Sequence, residues 1–339
     1  MRFLITGASG WVGFSIAHRL AKLYGKKNIQ LILKPKGSHE KESKRHAALV
    51  KEGFDIILSN LLKDSLEVKH VKPFDVLFHI AAFTEVEVKS PDMRVNDIGT
   101  EKMLNALGPL LKNRRVVYTG SILSIDRDKP SNTPLDENSP CSPRTVYGIT
   151  KLNGEHILKK YSRIFGFEWV ILRLPTVYGP GFRPGGMFGV IPKGLQKNSL
   201  VTRLPWPGRL SIVHLDDTVN ALVFLGTKKS KLNEIYHIDS GENPTFDYMI
   251  NQIAKIAKIK RNPVKAPDFF WNMIKFIAWF PGLMHLLPFK IRIVLWRASL
   301  LVIDGLVFDS TKLNKILPFK YTPLDDALPA TYNIKDKTK

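Results

Sequence analysis

Tyr147 and Lys151 stand four residues apart in Tyr147-Gly-Ile-Thr-Lys151, a spacing that puts a phenol and an ammonium on one face of a helix. A phenol with its ordinary pKa of about 10 is a weak acid–base catalyst at neutral pH. A cation beside it favours the phenolate and draws that value toward a working range. Ser121 adds a hydroxyl that can both donate to and accept from a substrate oxygen. Together they suit proton exchange with an alcohol or carbonyl oxygen.

The elements that must position them follow from the pattern around them. The apolar run Val116 to Thr119 reads as a strand that delivers Ser121 at its carboxyl end, and the helix carrying Tyr147 and Lys151 starts near Arg144. At the start of the chain, Phe3 to Ile5 form a short buried strand. Thr6 to Gly13 then place Gly7, Gly10 and Gly13 where it turns into a helix, whose apolar residues Val12, Ile16, Leu20 and Leu23 run to a stop at Gly25. A glycine loop at a helix N-terminus lets backbone amides approach a pyrophosphate closely. Its G-x-x-G-x-x-G spacing is one residue longer than the usual dinucleotide fingerprint.

Further strands are expected at 29–33, 54–58 and 76–80, with helices over 41–52 and 92–111. Strands alternating with helices argue for an α/β fold, a doubly wound parallel Rossmann sheet with a smaller α+β C-terminal lobe. The Rossmann domain is expected to span 1–176 and to be rejoined by about 211–240, where Ser211–His214 and Ile235–Ile238 read as strands. The substrate lobe takes 177–210 and 241–330, and a disordered tail 331–339. The second strand ends in Lys34, Pro35 and Lys36 with no carboxylate until Glu40, which favours the 2'-phosphate of NADP(H) over the free ribose of NAD(H). Asn60 and Leu61, after the third strand, lie where such sheets line their ligand crevice.

Among 339 residues, 51 Lys and Arg outnumber 30 Asp and Glu, a net charge of +21 that favours anionic ligands or anionic lipid. No zinc-ligand spacing, heptad-plus-basic region or RNA-binding aromatic signature accompanies the charge, so neither nucleic acid nor a metal is expected as partner. Cys141 is the one cysteine; it permits no internal disulfide and agrees with a reducing compartment. A strand starting at residue 3 leaves no room for a signal peptide, so a cytoplasmic location is expected. The stretch Phe269 to Leu287 is strongly apolar but interrupted by Lys275 and by Pro281-Gly282. It reads either as a wall of the substrate lobe or, extended to residue 301 with Lys290, Arg292 and Arg297, as an element dipping into a membrane surface.

Taken in order, Thr6-Gly-Ala-Ser-Gly-Trp-Val-Gly13, His79-Ile-Ala-Ala82, Asn96-Asp-Ile-Gly-Thr100, Val117-Tyr-Thr-Gly-Ser121, Tyr147-Gly-Ile-Thr-Lys151, Arg173-Leu-Pro-Thr-Val-Tyr-Gly-Pro-Gly181 and Val213-His-Leu-Asp-Asp217 resemble the extended short-chain dehydrogenases/reductases. That family spans nucleotide-sugar epimerases and dehydratases, 3-beta-hydroxysteroid dehydrogenases and dihydroflavonol-type reductases. The resemblance implies that Tyr147 is the general acid/base, that Lys151 binds the nicotinamide ribose and tunes Tyr147, and that Ser121 orients the substrate oxygen. It also implies cofactor contacts from Trp11, Val12, Ile80, Ala81, Ala82, Asn96 and Pro175, and a homodimer. Two positions depart from the family pattern: Asn60 stands where an aspartate usually holds the adenine amino group, and Gly120 where a serine is frequent.

The apolar block 269–301 favours a hydride transfer between nicotinamide and a carbonyl or secondary alcohol of a lipid-, steroid- or aromatic-like substrate. The alternatives are a nucleotide-sugar epimerase or dehydratase, for which Arg183 and Arg209 could meet a diphosphate and Thr84 the substrate, and a non-catalytic cofactor-binding module.

Overall fold

Short apolar runs become the strands of a seven-stranded sheet in the computed structural model, which describes residues 1–84, 90–125, 133–183, 185–279 and 288–332. They are β1 (Phe3–Thr6), β2 (Ile29–Leu33), β3 (Asp55–Leu58), β4 (Val76–His79), β5 (Arg115–Ser121), β6 (Glu168–Leu174) and, after a shorter sheet, β9 (Asn233–His237), in the order β3-β2-β1-β4-β5-β6-β9. The pairs β1–β2, β2–β3, β1–β4, β4–β5 and β5–β6 are parallel. Every residue of β1, β2, β4 and β5 is buried, as both faces of a parallel sheet require. The strand order reverses between β1 and β4, with Thr6 beside His79, and ligands of such sheets bind outside the carboxyl ends at that point.

Helices α1 (Trp11–Tyr24), α2 (Glu40–Lys51), α3 (Ile98–Leu107) and α4 (Val146–Phe165) make the crossovers. In α1 the buried Gly13, Ile16, Ala17 and Leu20 form one stripe. The Thr145 hydroxyl caps α4 by accepting from the Gly148 N–H, and Gly166 ends it in the left-handed conformation, φ 68°. The helix expected over 92–111 is broken. A 3-10 turn covers Pro91–Val95, the Asp97 carboxylate restarts the helix by accepting from Ile98 N–H, and Gly108 (φ 34°) followed by Pro109 turns the end into a second 3-10 segment. Proline has no N–H to continue the ladder.

The chain divides into two compact units. The first comprises Met1–Ser124, Pro143–Leu174 and Thr218–Tyr236; the second, Ile125–Ser142, Pro175–Asp217 and His237–Lys339. The strand expected at Ser211–His214 does not join the large sheet: β8 (Ile212–His214) pairs in parallel with β7 (Thr176–Tyr178), three residues against three. Helices α5 (Met187–Gln196), α6 (Leu200–Arg203), α7 (Leu215–Thr227), α8 (Phe246–Ala257) and α9 (Asp268–Trp279) follow in the chain. The second unit has its own core, around Tyr178, Phe188, Trp206, Phe246, Ile250 and Trp271. The tail is ordered further than expected: Thr331 ends a helix begun at Leu324, and the Tyr332 hydroxyl donates to Phe188 O at 2.7 Å. Residues 333–339, the Pro281-Gly282 break and part of the 126–143 loop lie outside the described residues. Among the described residues no helix is long and apolar enough to cross a membrane.

Candidate active site

The glycine loop is built for close approach. Gly7 has φ +75°, and a Cβ there would stand 2.5 Å from Ala81 N; a Cβ on Gly13 would run into the Gly7 carbonyl. The loop thereby seats α1 directly on the ends of β1 and β4. Gly10, the N-cap of α1, offers no side-chain cap, and no acidic residue occupies the first turn. The N-terminal amides beside Trp11, Val12 and Gly13, with the positive end of the helix dipole, fit a pyrophosphate.

At the end of β2 the structure corrects the expectation of a purely basic corner. The first turn of α2 carries Glu42 back to the strand end, where its carboxylate lies 3.2 Å from Lys34 Nζ and accepts from Ser38 N at 2.6 Å and from Ser9 Oγ at 3.1 Å. These donors outweigh the desolvation of a half-buried group and hold the Glu42 carboxyl below its usual pKa. Glu40 instead points outward to Lys44, 2.6 Å away. Arg45 Nε donates to Ser9 O at 2.8 Å, so α2 grips the glycine loop through both signs of charge. Beyond β3, Asn60 Oδ1 accepts from Leu62 N at 3.1 Å and Lys63 N at 3.3 Å. The oxygen expected to face an adenine amino group is thus spent on its own turn, while Leu61 is buried in the core of the first unit.

Ser121 ends β5, buried, its Oγ accepting from Leu123 N at 3.2 Å. Tyr147, half-buried, opens α4. Gly148 lets the start of α4 approach the segment that follows β5, because a Cβ there would overlap the Leu123 carbonyl. Lys151 is fully buried with Nζ 4.2 Å from the centroid of the Tyr118 ring, a cation–π pair. Burial pushes the Lys151 pKa down to about 7, against the opposing pull of Glu155. Burial pushes the Tyr118 phenol up, so the ring facing that ammonium stays neutral.

A directed chain of hydrogen bonds ties these pieces together. Thr100 Oγ1 donates to Asn96 O (2.9 Å), so it accepts from His79 Nε2–H (2.9 Å). His79 Nδ1 then accepts from Thr6 Oγ1–H (2.7 Å), which itself accepts from Ala81 N–H (3.3 Å). Burial, reinforced by the nearby Lys151, drives the His79 pKa down to about 3, consistent with this neutral tautomer. Asn96 continues the chain. Its Oδ1 accepts from Phe83 N (2.8 Å) and its Nδ2 donates to Phe83 O (3.1 Å) and to Thr150 Oγ1 (3.1 Å). Asn96 thus fixes the Ile80–Phe83 backbone against α4. Thr84, next along, is exposed.

The other predicted residues belong to the second unit. Pro175 is buried, Arg183 is half-buried, and Arg209 is engaged by Asp304, with Nη2 to Oδ2 at 2.8 Å and its N–H to Oδ1 at 2.6 Å. The apolar segment does not act as one wall. Trp271 and Ile274 enter the core of the second unit, whereas Phe269 and Phe276 face outward.

The sequence profile of the NAD dependent epimerase/dehydratase family matches residues 3–239. The chain belongs to that family. Like other NAD dependent epimerase/dehydratase chains it has curated relatives, among them an uncharacterized UDP-glucose epimerase of Bacillus subtilis, 28% identical over 267 residues, covering 76% of this chain and 82% of the relative. Among solved structures, the UDP-glucose 4-epimerase of Thermotoga maritima with UDP-glucose superposes with a TM-score of 0.75 at 19% identity, over 98% of each chain. The UDP-glucuronic acid 4-epimerase of Bacillus cereus, in complex with UDP-glucuronic acid and NAD, gives 0.73 at 22% identity, again over 98% of each. These likenesses establish the fold.

Against the family pattern, the glycine at 120 has a local reason. A Cβ there would lie 2.8 Å from Glu155 Oε1 and 2.9 Å from Arg173 Cγ. Those two side chains form a buried ion pair, Arg173 Nη2 to Glu155 Oε2 at 2.7 Å, that sequence reading overlooked. A glutamate four residues beyond Lys151 on one helix face was the available signal.

Proposed function

We propose that this chain is an NAD(H)-dependent nucleotide-sugar epimerase or dehydratase that reacts its substrate at a hydroxyl-bearing ring carbon. The observation that carries the reading is the family match over residues 3–239 in a chain whose reported relatives are nucleotide-sugar enzymes. Ser121 at the end of β5 and Tyr147 and Lys151 on α4 support it. The apolar-substrate reading rested on 269–301, where Trp271 and Ile274 are core and Phe269 and Phe276 surface, and it draws no support from those relatives.

When bound, the nicotinamide supplies a reversible hydride acceptor. Ser121 would hold the reacting oxygen, and Tyr147 as phenolate would take the hydroxyl proton as that acceptor oxidises the carbon to a carbonyl. In the reverse direction Tyr147 would give the proton back to the carbonyl oxygen, so that an inverted configuration would need no net consumption of cofactor. Lys151 favours the phenolate to the extent that it is charged, and would hold the ribose hydroxyls of a bound nicotinamide. Glu42 supports NAD(H) over NADP(H): a carboxylate at this corner attracts ribose hydroxyl hydrogens, repels a 2'-phosphate and neutralises the lysine that would welcome one.

The test is incubation with UDP-glucose, UDP-glucuronic acid and dTDP-glucose plus NAD, with products read by NMR. Conversion of at least one sugar without accumulation of reduced nicotinamide is expected. Tyr147→Phe should cut it by about 10²- to 10⁴-fold while the fluorescence-measured affinity for NADH holds. Turnover of apolar ketones only, with stoichiometric consumption of NADPH, would overturn the reading.

A further inference from the structure

One face of the second unit combines exposed apolar side chains with nearly unbroken positive charge. On α9, Phe269, Met273 and Phe276 recur at intervals of four and three and are 74%, 43% and 59% exposed, while Trp271 and Ile274 between them are buried. On α6, Leu200 and Val201 are 62% and 53% exposed. The two helices are joined through Trp206, whose indole N–H donates to Val201 O at 2.7 Å and whose ring centroid lies 5.5 Å from that of Trp271. The connection between α8 and α9 is fastened alongside α6. Arg261 donates to Thr202 O (2.7 Å) and Leu204 O (2.9 Å), and Val264 N–H donates to Arg203 O (3.0 Å). That connection carries the exposed Lys258, Lys260 and Lys265, and α9 adds Lys275. Over 190–206 and 255–279 there are nine Lys and Arg and one acid, Asp268; of the nine, Arg261 is turned inward and paired with Asp247 at 2.7 Å.

We propose that this face docks the protein onto an anionic lipid bilayer, with Phe269, Met273, Phe276, Leu200 and Val201 entering the interfacial region and the lysines meeting the headgroups. Large exposed phenylalanines gain by leaving water, and flanking lysines gain from a negative surface; neither helix needs to span the membrane. A second copy of the chain is the poorer occupant. A twofold contact sets the same patch against itself, and here that would bring the exposed Lys258, Lys260, Lys265 and Lys275 of each copy toward those of the other.

The experiment is co-sedimentation of the full chain with vesicles of phosphatidylcholine alone and of phosphatidylcholine mixed with phosphatidylglycerol. Two variants accompany it, Phe269→Ser/Phe276→Ser and Lys258→Gln/Lys260→Gln/Lys265→Gln, with circular dichroism and unfolding temperature confirming that each is folded. The proposal expects binding to the phosphatidylglycerol vesicles that weakens at least tenfold in the phenylalanine variant. It should weaken about fivefold per lysine removed at low salt. Absence of binding to anionic vesicles overturns it, as does binding that ignores the phenylalanine substitutions, which would mark a general attraction of a basic protein to anions. Self-association that disappears in the phenylalanine variant, without vesicle binding, overturns it in favour of a second copy.

Discussion

Lys151 is held buried at a cost in stability. Its folded pKa of about 7 lies below the 10.5 of an unfolded lysine, so below pH 7 both states carry the proton and the full penalty of burying the charge falls on the native state. Between pH 7 and 10.5 the native protein sheds the proton while the unfolded chain keeps it, and stability rises with pH. Lys151→Met should therefore raise the unfolding temperature at pH 6 by a few degrees, about 2–4 °C per kcal/mol recovered, with a gain that shrinks toward pH 10, while turnover is lost. A variant less stable than wild type at pH 6 would show that the Tyr118 contact outweighs the burial penalty. The neighbouring ion pair has the opposite character: Glu155→Gln leaves Arg173 charged and buried, and should cost about 3–5 kcal/mol in denaturant unfolding. The elements that carry Tyr147, Lys151 and Ser121, the start of α4 and the end of β5, were legible from four-residue spacing and a strand end. The Glu42 contact was not, because where a helix begins decides whether Glu40 or Glu42 turns inward, and His39 as N-cap starts α2 so that Glu42 does.

Elements meet here through absent side chains as much as present ones. Gly148→Ala should push the start of α4 off the Leu123 carbonyl, destabilising by about 1–3 kcal/mol and lowering kcat by tenfold or more through misplacement of Tyr147. Gly166→Ala is the control. Its Cβ would meet nothing within 4 Å but would sit at φ +68°, so it should cost about 1 kcal/mol and leave kcat unchanged. Equal loss of activity in both would locate the effect in general stability instead. Strand and helix order were readable from alternation of apolar runs and glycine stops. The pairing of β8 with β7 was not, because a three-residue apolar run carries no information on which sheet it joins, and the break in the helix expected over 92–111 depended on Asp97 capping a new start.

At the scale of the whole molecule, two buried groups tilt stability against pH in opposite senses. His79, with a folded pKa of about 3 against 6.5 unfolded, contributes stability present above pH 6.5 and lost as the pH falls toward 3. Asp239, pushed up by burial to about 6 from 3.8, holds its proton longer in the fold and so favours the native state as the pH falls from 6 to 3.8. The His79 share is isolated by comparing wild type with His79→Gln: the difference in unfolding free energy should narrow steadily from pH 6.5 to pH 4, and a constant difference would mean that His79 is not neutral in the fold. The division of α9 between the buried Trp271 and Ile274 and the exposed Phe269 and Phe276 was invisible to composition, since periodicity says that a helix has two faces but not that both can be apolar.

The hydroxyl–imidazole chain from Ala81 to Asn96 has a spectroscopic consequence. His79, Thr6, Thr100 and Asn96 are all fully buried, so the His79 Nε2–H should exchange with solvent slowly and give a discrete, far-downfield proton resonance in NMR. Because the chain ends on Asn96, which clamps the Ile80–Phe83 backbone, that one signal would report the binding of a nucleotide at the glycine loop without any label or turnover.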